Sequence, residues 1–253
     1  MRRPMLMMLP GCCLLGCLIS TAAEPESAEV VLGKYRAASI PASMHARIRV
    51  VATNSAEEGV QESLIEMFCR KKDEFFLRYL EPERQRGTAI LKTGDEVWMI
   101  LPNMTKPTKM SKRSLVTSMD MMRIGYLMSM GNPEDYAATI TGSEDVDGVP
   151  CHILDLKASG HNSPFDRAKI WVRSKDYMGG KAEYYTRSGK LMLTIVNDKF
   201  KSVKGVCYPA ETTIVNPLLK GEKTVVAFEE VEFDGEMPEE LFVRENLSKS
   251  AAN

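Results

Sequence analysis

The pattern of apolar and polar positions between residues 75 and 111 predicts several short strands joined by tight turns. Glu81-Pro82-Glu83 ends the first apolar run, Thr93-Gly94-Asp95 separates the second run from the third, and Pro102-Asn103 ends the third. Because the strands are about five to eight residues long and the connections are short, antiparallel pairing is the simplest arrangement. The pattern therefore indicates an antiparallel meander.

Several of these strands are apolar on both faces. A strand with one face in water alternates apolar and polar side chains, whereas Ala89-Ile90-Leu91 and residues 97–101 do not alternate. Such strands need an apolar partner on each side. We therefore expect a packed helix on one face and a ligand or a second layer on the other.

The segment 118–130 holds five methionines at helical spacing, so a helix there would be apolar on nearly every face. One stripe of this helix carries Met119, Met122, Tyr126 and Met130. Two interpretations stay open. Methionine commonly fills gaps in a buried core, and unbranched thioether side chains also suit an adaptable surface for varied apolar partners.

Elsewhere the pattern predicts a short helix at residues 27–38 and mainly strands at residues 44–233. The acidic stretch 142–148 is expected to be a polar turn between two strands, and Gly179-Gly180-Lys181 a hairpin turn. Since the chain shows no linker, low-complexity run or repeat, residues 24–253 are expected to form a single domain.

The N-terminus has the organisation of a bacterial export signal. Arg2-Arg3 precede an apolar stretch at residues 5–19, and small residues follow at 20–23. The stretch is too short to cross about 30 Å of hydrocarbon, and Pro10-Gly11 interrupts it. We therefore expect residues 1–23 to be removed and the mature chain to reside in the periplasm.

An alternative fate of the N-terminus is lipidation at Cys17. Leu14-Leu15-Gly16-Cys17 is similar to a lipobox, in which the cysteine is diacylated and becomes the mature N-terminus. The mature chain would then be a membrane-anchored lipoprotein. Its remaining cysteines are Cys69, Cys151 and Cys207, and we expect one disulfide in an oxidising compartment, between Cys151 and Cys207.

Charge and motifs argue against several function classes. The mature chain carries about three net negative charges, which argues against a nucleic-acid partner, because such a partner requires a concentrated basic face. The three histidines show no zinc-ligand spacing, and the glycine-rich phosphate loops and the serine nucleophile elbow are missing. Cys151 and His152 adjoin on a predicted strand and point to opposite faces, so they cannot act as a nucleophile and base. We predict no enzymatic activity, no metal and no cofactor.

A series of short motifs follows one another in order between residues 44 and 247. The motifs occupy residues 76–82, 86–88, 95–98, 101–102, 142–156, 169–172, 183–185, 188–191, 208–211, 231–234 and 238–242. In order and spacing they resemble the LolA-like outer-membrane lipoprotein-sorting proteins, in particular a branch of uncharacterised members typified by a spirochaetal protein. The resemblance implies a mainly β fold: a curved, incomplete antiparallel β-barrel of about eleven strands with a helical lid.

The resemblance also implies a function, since folds of this kind hold acyl chains. The expected protein is a monomeric periplasmic carrier that binds lipid or lipoprotein acyl chains in an apolar groove for outer-membrane sorting, with inner- or outer-membrane transport proteins as partners. The candidate lining of groove and lid is Trp98, Ile100, Met119, Met122, Tyr126 and Met130. The alternative is a non-catalytic envelope sensor or scaffold that uses the half-barrel to bind a protein partner.

Overall fold

The computed structural model describes residues 26–39, 41–54, 59–71, 73–111, 136–159, 165–219 and 221–252. The described residues form thirteen strands and two α-helices, α1 (Ala28–Ser39) and α2 (Leu247–Ala252). The strands are β1 (Ser43–Asn54), β2 (Gly59–Arg70), β3 (Glu74–Glu81), β4 (Ala89–Thr93), β5 (Glu96–Ile100), β6 (Thr108–Met110), β7 (Tyr136–Val146), β8 (Val149–Ala158), β9 (Arg167–Arg173), β10 (Gly179–Tyr185), β11 (Leu191–Val203), β12 (Val206–Val215) and β13 (Lys223–Phe233). Short 3-10 turns lie at Glu83–Gln85, Glu239–Phe242 and Arg244–Asn246.

These elements confirm the mainly β prediction, the meander at residues 75–111 and the short helix near residues 27–38. The methionine-rich segment 118–130 and the predicted export signal at residues 1–23, which includes Cys17, lie outside the described residues. In the part of the chain that is described, no helix combines the length and apolar character needed to cross a membrane.

All thirteen strands belong to one open antiparallel sheet in the order β6-β5-β4-β3-β2-β1-β13-β12-β11-β10-β9-β8-β7. Neighbours in the sheet are neighbours in the chain except at its centre, where β1 pairs with β13. The resemblance implies about eleven strands, slightly fewer than the thirteen of the sheet. The sheet includes β6, whose three residues are too few to show a periodicity.

The acidic stretch 142–148 is mostly strand, so the predicted polar turn is wrong in its extent. Residues 142–146 continue β7, and only Asp147 and Gly148 turn, with φ of +51° and +75°. Two successive positive φ angles are typical of the two-residue hairpin turn that matches strand twist. Because β7 is an edge strand whose side chains here are mostly exposed, polar residues are tolerated on both of its faces.

The predicted hairpin turn at Gly179-Gly180-Lys181 is wrong, since these residues begin β10. A Cβ atom on Gly179 would lie 3.1 Å from Cε2 of Tyr35 in α1. The glycine is therefore needed where the helix approaches the sheet closely, rather than where the chain turns.

One large apolar cluster, called the main cluster, collects buried side chains from α1, from β1–β5 and from β7–β13. In β1 its members are Met44, Ala46, Ile48 and Val50, which alternate along the strand and so share one face. A single cluster that reaches strands near both edges requires the sheet to curve around it. The structure thus shows a curved, open antiparallel sheet.

A second cluster, called the C-terminal cluster, lies on the opposite face of β2–β5. Its buried members are Phe68, Phe76, Ala89, Leu91, Ile100, Leu241, Phe242, Leu247 and Ala251. The last four come from the 3-10 turn Glu239–Phe242 and from α2, which cover this face. The expectation that β3–β5 need an apolar partner on both sides is confirmed, with helical structure on one side and the main cluster on the other.

Candidate functional site

The face of the sheet that carries the main cluster keeps a rim of half-buried apolar side chains. They are Tyr79, Met99, Met110, Met192, Val203, Val206, Tyr208, Phe228 and Val231. These residues come from β3, β5 and β6 near one edge of the sheet and from β11–β13 around its centre. We call this apolar surface the main-cluster face. It offers van der Waals contact to an apolar partner.

Helix α1 lies against the other end of the same face. Val31 and Leu32 are buried in the main cluster, and Tyr35 packs on Gly179 of β10. From the middle of the helix, Lys34 Nζ donates to Tyr177 Oη at 2.9 Å and to the Glu26 carboxylate, which precedes the helix. The Tyr177 hydroxyl donates in turn to Glu26 Oε2 at 3.1 Å. These three polar side chains fasten α1 to the connection between β9 and β10.

Electrostatic interactions stabilise these contacts of α1. The hydrogen bond from Lys34 lowers the pKa of Glu26, and the hydrogen bond to Glu26 raises the pKa of Lys34. The Lys34 ammonium also lies 4.4 Å from the centre of the Tyr177 ring. Both charged forms are therefore favoured while α1 is in place.

Aromatic rings line the central part of the main-cluster face. The ring of Tyr208 in β12 lies 6.1 Å from that of Phe228 and 5.8 Å from that of Phe233, both in β13, with edge-on geometry. Phe233 is buried, whereas Tyr208 and Phe228 are half-buried. Edge-on packing holds the two outer rings in defined positions at the surface.

The structure places two of the sequence-predicted lining residues on the opposite face. Ile100 is buried in the C-terminal cluster, and Trp98 packs against that cluster. Their neighbours Val97 and Met99 point the other way, towards the main cluster, because successive side chains of β5 alternate. The role of Trp98 and Ile100 as lining residues stays a prediction.

The other predicted lining residues lie outside the described part of the chain, namely Met119, Met122, Tyr126 and Met130. Sequence reasoning missed Met99 and Met110 on the main-cluster face. The cross-strand register pairs Val97 of β5 with Met110 of β6. The sequence alone does not give this register, so it could not identify these methionines as part of the face.

The predicted disulfide between Cys151 and Cys207 is not formed, because all three cysteines of the described residues are free thiols. The two cysteines lie on β8 and β12, which three strands separate in the sheet. The Cys151 thiol donates to the Val149 carbonyl at 3.3 Å, and the Cys207 thiol lies 3.9 Å from Asp176 Oδ2. Burial raises the pKa of both thiols, and it raises the pKa of Cys69 to about 12. These thiols are therefore poor nucleophiles near neutral pH.

The histidines take ordinary structural positions where they are described. His45 Nε2 lies 2.9 Å from Glu66 Oε1, and the His45 ring stacks on Phe68 at 4.2 Å. Cys151 and His152 are successive residues of β8, as predicted, and Cys151 is buried while His152 is half-buried. Within the described ranges, no three His, Cys, Asp or Glu side chains are grouped so that they could hold a metal ion. His161 lies outside these ranges.

Comparison with known proteins identifies a family and several structures with a similar fold. A family model described as an uncharacterized protein matches residues 71–249, well over half of the chain. No curated protein sequence matches the chain.

Three solved structures are similar over most of their length. A LolA superfamily protein from Nitrosomonas europaea is 20% identical, with a TM-score of 0.73 over 87% of this chain and 98% of that chain. A DUF1329 family protein from Desulfovibrio piger is 16% identical, with a TM-score of 0.76 over 88% and 100% of the two chains. A domain from Vibrio parahaemolyticus described as an outer membrane lipoprotein-sorting protein is 18% identical, with a TM-score of 0.76 over 88% and 98%. The chain therefore belongs to this uncharacterized family, and its fold is similar to that of the LolA superfamily protein.

Proposed function

We propose that this protein is a carrier that holds acyl chains of a lipid or a lipoprotein against the main-cluster face and releases them without covalent chemistry. One observation carries the proposal. The curved sheet presents half-buried apolar side chains, among them Met99, Met110 and Phe228, along a single face. An extended apolar ligand fits such a surface, because burial against it removes apolar area from both partners.

The energetics of an acyl chain favour this use. Each methylene withdrawn from water contributes about 0.8 kcal/mol, so a chain of about fifteen methylenes loses on the order of 12 kcal/mol on entering water. Contacts to apolar side chains are not directional, and the flexible thioethers of Met99, Met110 and Met192 adapt to different shapes. The face therefore favours broad recognition of chains over selection of one headgroup.

The comparisons and the N-terminal sequence support the same proposal. The Vibrio parahaemolyticus neighbour is described as a lipoprotein-sorting protein, and this chain shares its fold. The apolar stretch and small residues of the predicted export signal at 1–23 would direct the chain to the periplasm. In that compartment the acyl chains of an unbound lipid would be exposed to water. We propose that location, with membrane transport proteins as donor and acceptor.

The first test is purification of the full chain under native conditions, followed by organic extraction and mass spectrometry of the extract. We expect lipid with acyl chains at a fixed ratio to protein. A protein that is repeatedly lipid-free, and that takes up no fluorescent fatty-acyl probe, contradicts the proposal. A lipid-free protein that instead retains one protein partner would favour the scaffold alternative.

A further inference from the structure

Three exposed apolar side chains lie in the two chain segments that flank Trp98. Leu101 and Met104, which are both 43% exposed, lie in the connection from β5 to β6. Val243, which is 41% exposed, immediately precedes Arg244, whose guanidinium lies 4.9 Å from the centre of the Trp98 ring. We call this surface the tryptophan patch. Exposed apolar residues that adjoin one another on a protein surface mark an interaction site.

The patch is held in a fixed shape by polar contacts. The Lys109 ammonium lies 5.6 Å from the centre of the Trp98 ring, so cations from β6 and from the C-terminal segment both adjoin the same indole. Trp98 Nε1 donates to Glu96 Oε2 at 3.3 Å. On the far side of the connection, Ser248 Oγ donates to the Thr105 carbonyl at 3.4 Å and joins the connection to α2.

The charge of the patch is opposite in sign to that of the chain. The segments 96–109 and 243–249 hold four cations, Lys106, Lys109, Arg244 and Lys249, and two carboxylates, Glu96 and Glu245. The full chain has a formal net charge of −1. All four cations are exposed. Lys109 is paired with Glu96 and Arg244 with Glu245, so Lys106 and Lys249 carry the excess of two positive charges. The patch therefore attracts an anionic partner, and its apolar side chains need one that also has an apolar layer.

We infer that the tryptophan patch docks on the surface of a lipid bilayer with anionic headgroups. Indole rings favour the headgroup level of a bilayer, where their polar edge meets water and their face meets lipid. Lysine and arginine side chains pair with anionic headgroups at that level. Leu101, Met104 and Val243 would enter the boundary between headgroups and acyl chains. Trp98 lies on the side of β5 opposite to the main-cluster face, so docking through this indole leaves that face accessible.

The experiment uses the full chain and vesicles of phosphatidylglycerol and phosphatidylethanolamine whose acyl chains are brominated. Bromine quenches an indole only when the ring reaches the bilayer, and Trp171, the other tryptophan, is 3% exposed. We expect quenching in the parent chain, loss of the quenching in W98F, and weaker binding as salt is added. The L101D/M104D variant should bind about tenfold or more weakly.

The matched control is L218D/L219D, which adds the same two charges at leucines that are 42% and 43% exposed in the connection from β12 to β13. This variant should bind like the parent chain. Equal binding to zwitterionic and anionic vesicles, equal losses in both double variants, or unquenched Trp98 would overturn the inference. The M99E/M110E variant, changed on the main-cluster face, should keep vesicle docking, so failure of the carrier proposal and failure of docking are distinguishable.

Discussion

Arg78 in β3 donates from Nη1 to the main-chain carbonyl of Ser250 in α2 at 3.0 Å, and from Nε to Glu66 Oε2 at 2.8 Å. The side chains of Arg78 and Glu66 are 16% and 10% exposed. One guanidinium thus neutralises a carboxylate of β2 and satisfies a carbonyl near the end of the chain. It joins the C-terminal helix to the face of the sheet that the C-terminal cluster occupies.

Replacing Arg78 should destabilise the protein, because Glu66 would keep a buried charge without its guanidinium partner. For R78M we expect a loss of about 3–5 kcal/mol in the free energy of unfolding, measured by urea denaturation. The double variant E66M/R78M removes both charges and should recover most of that loss. A double variant as unstable as R78M would contradict this explanation.

Glu66 should make stability depend on pH. Burial acts to raise its pKa, but hydrogen bonds from His45 and Arg78 outweigh burial and hold the pKa below the ordinary 4.5. A carboxyl whose pKa is lowered by folding stabilises the folded state above its unfolded pKa, and this stabilisation is lost as pH falls through the folded pKa. E66Q should therefore be less stable than the parent by about 1–3 kcal/mol at neutral pH.

The same difference should shrink below pH 4.5 and vanish under more acidic conditions. Urea denaturation of both proteins across this range measures it. A difference that stays constant with pH would show that the ionised form of Glu66 is not what stabilises the fold.

Leu247 should be the main apolar anchor of α2. It is fully buried in the C-terminal cluster, so L247A removes buried methyl groups and leaves a cavity. We expect a loss of about 2–4 kcal/mol and faster hydrogen exchange in residues 247–252. V243A is the control: Val243 is 41% exposed, and its replacement should change stability by less than about 0.5 kcal/mol. Equal effects would contradict the packing described for α2.

Two glycine-to-alanine substitutions should have opposite effects on α1. At Gly179 the new methyl group would lie 3.1 Å from Cε2 of Tyr35, so G179A should destabilise by about 1–3 kcal/mol by displacing the helix. At Gly33, within α1, a new Cβ would meet nothing within 4 Å, and G33A should stabilise by about 0.5–1 kcal/mol. Thermal unfolding of both variants measures these changes. A stabilised G179A would show that α1 does not approach β10 this closely.

Much of the fold could be predicted from local patterns, since the turn residues and apolar runs of β3–β5 are contiguous in sequence. The two-sided apolar character of Ala89-Ile90-Leu91 predicts a partner on each face, but not which partner. Leu91 shares the C-terminal cluster with Leu247, which lies far along the chain. Local periodicity carries no information on such a pairing, and for the same reason the placement of Trp98 and Ile100 required the structure.

The errors have local causes. A pair of glycines is typical of a turn, yet Gly179 and Gly180 lie in β10 because α1 approaches the sheet there. An acidic run is typical of a loop, yet residues 142–146 are strand because an edge strand tolerates polar side chains on both faces. In both cases tertiary context overrides the residue preference.

The most direct test of the carrier account compares the lipid retained by three proteins purified side by side under native conditions: the parent chain, M99E/M110E and V60E. Val60 is 66% exposed in β2, so V60E controls for an added carboxylate away from the main-cluster face. M99Q/M110Q, which adds no charge, replaces the charged double variant if that variant does not fold. We predict equal lipid per protein in the parent and V60E, and a loss of most lipid in the variants of Met99 and Met110. Lipid content unchanged by both pairs of substitutions, or no lipid in the parent chain, would contradict the account.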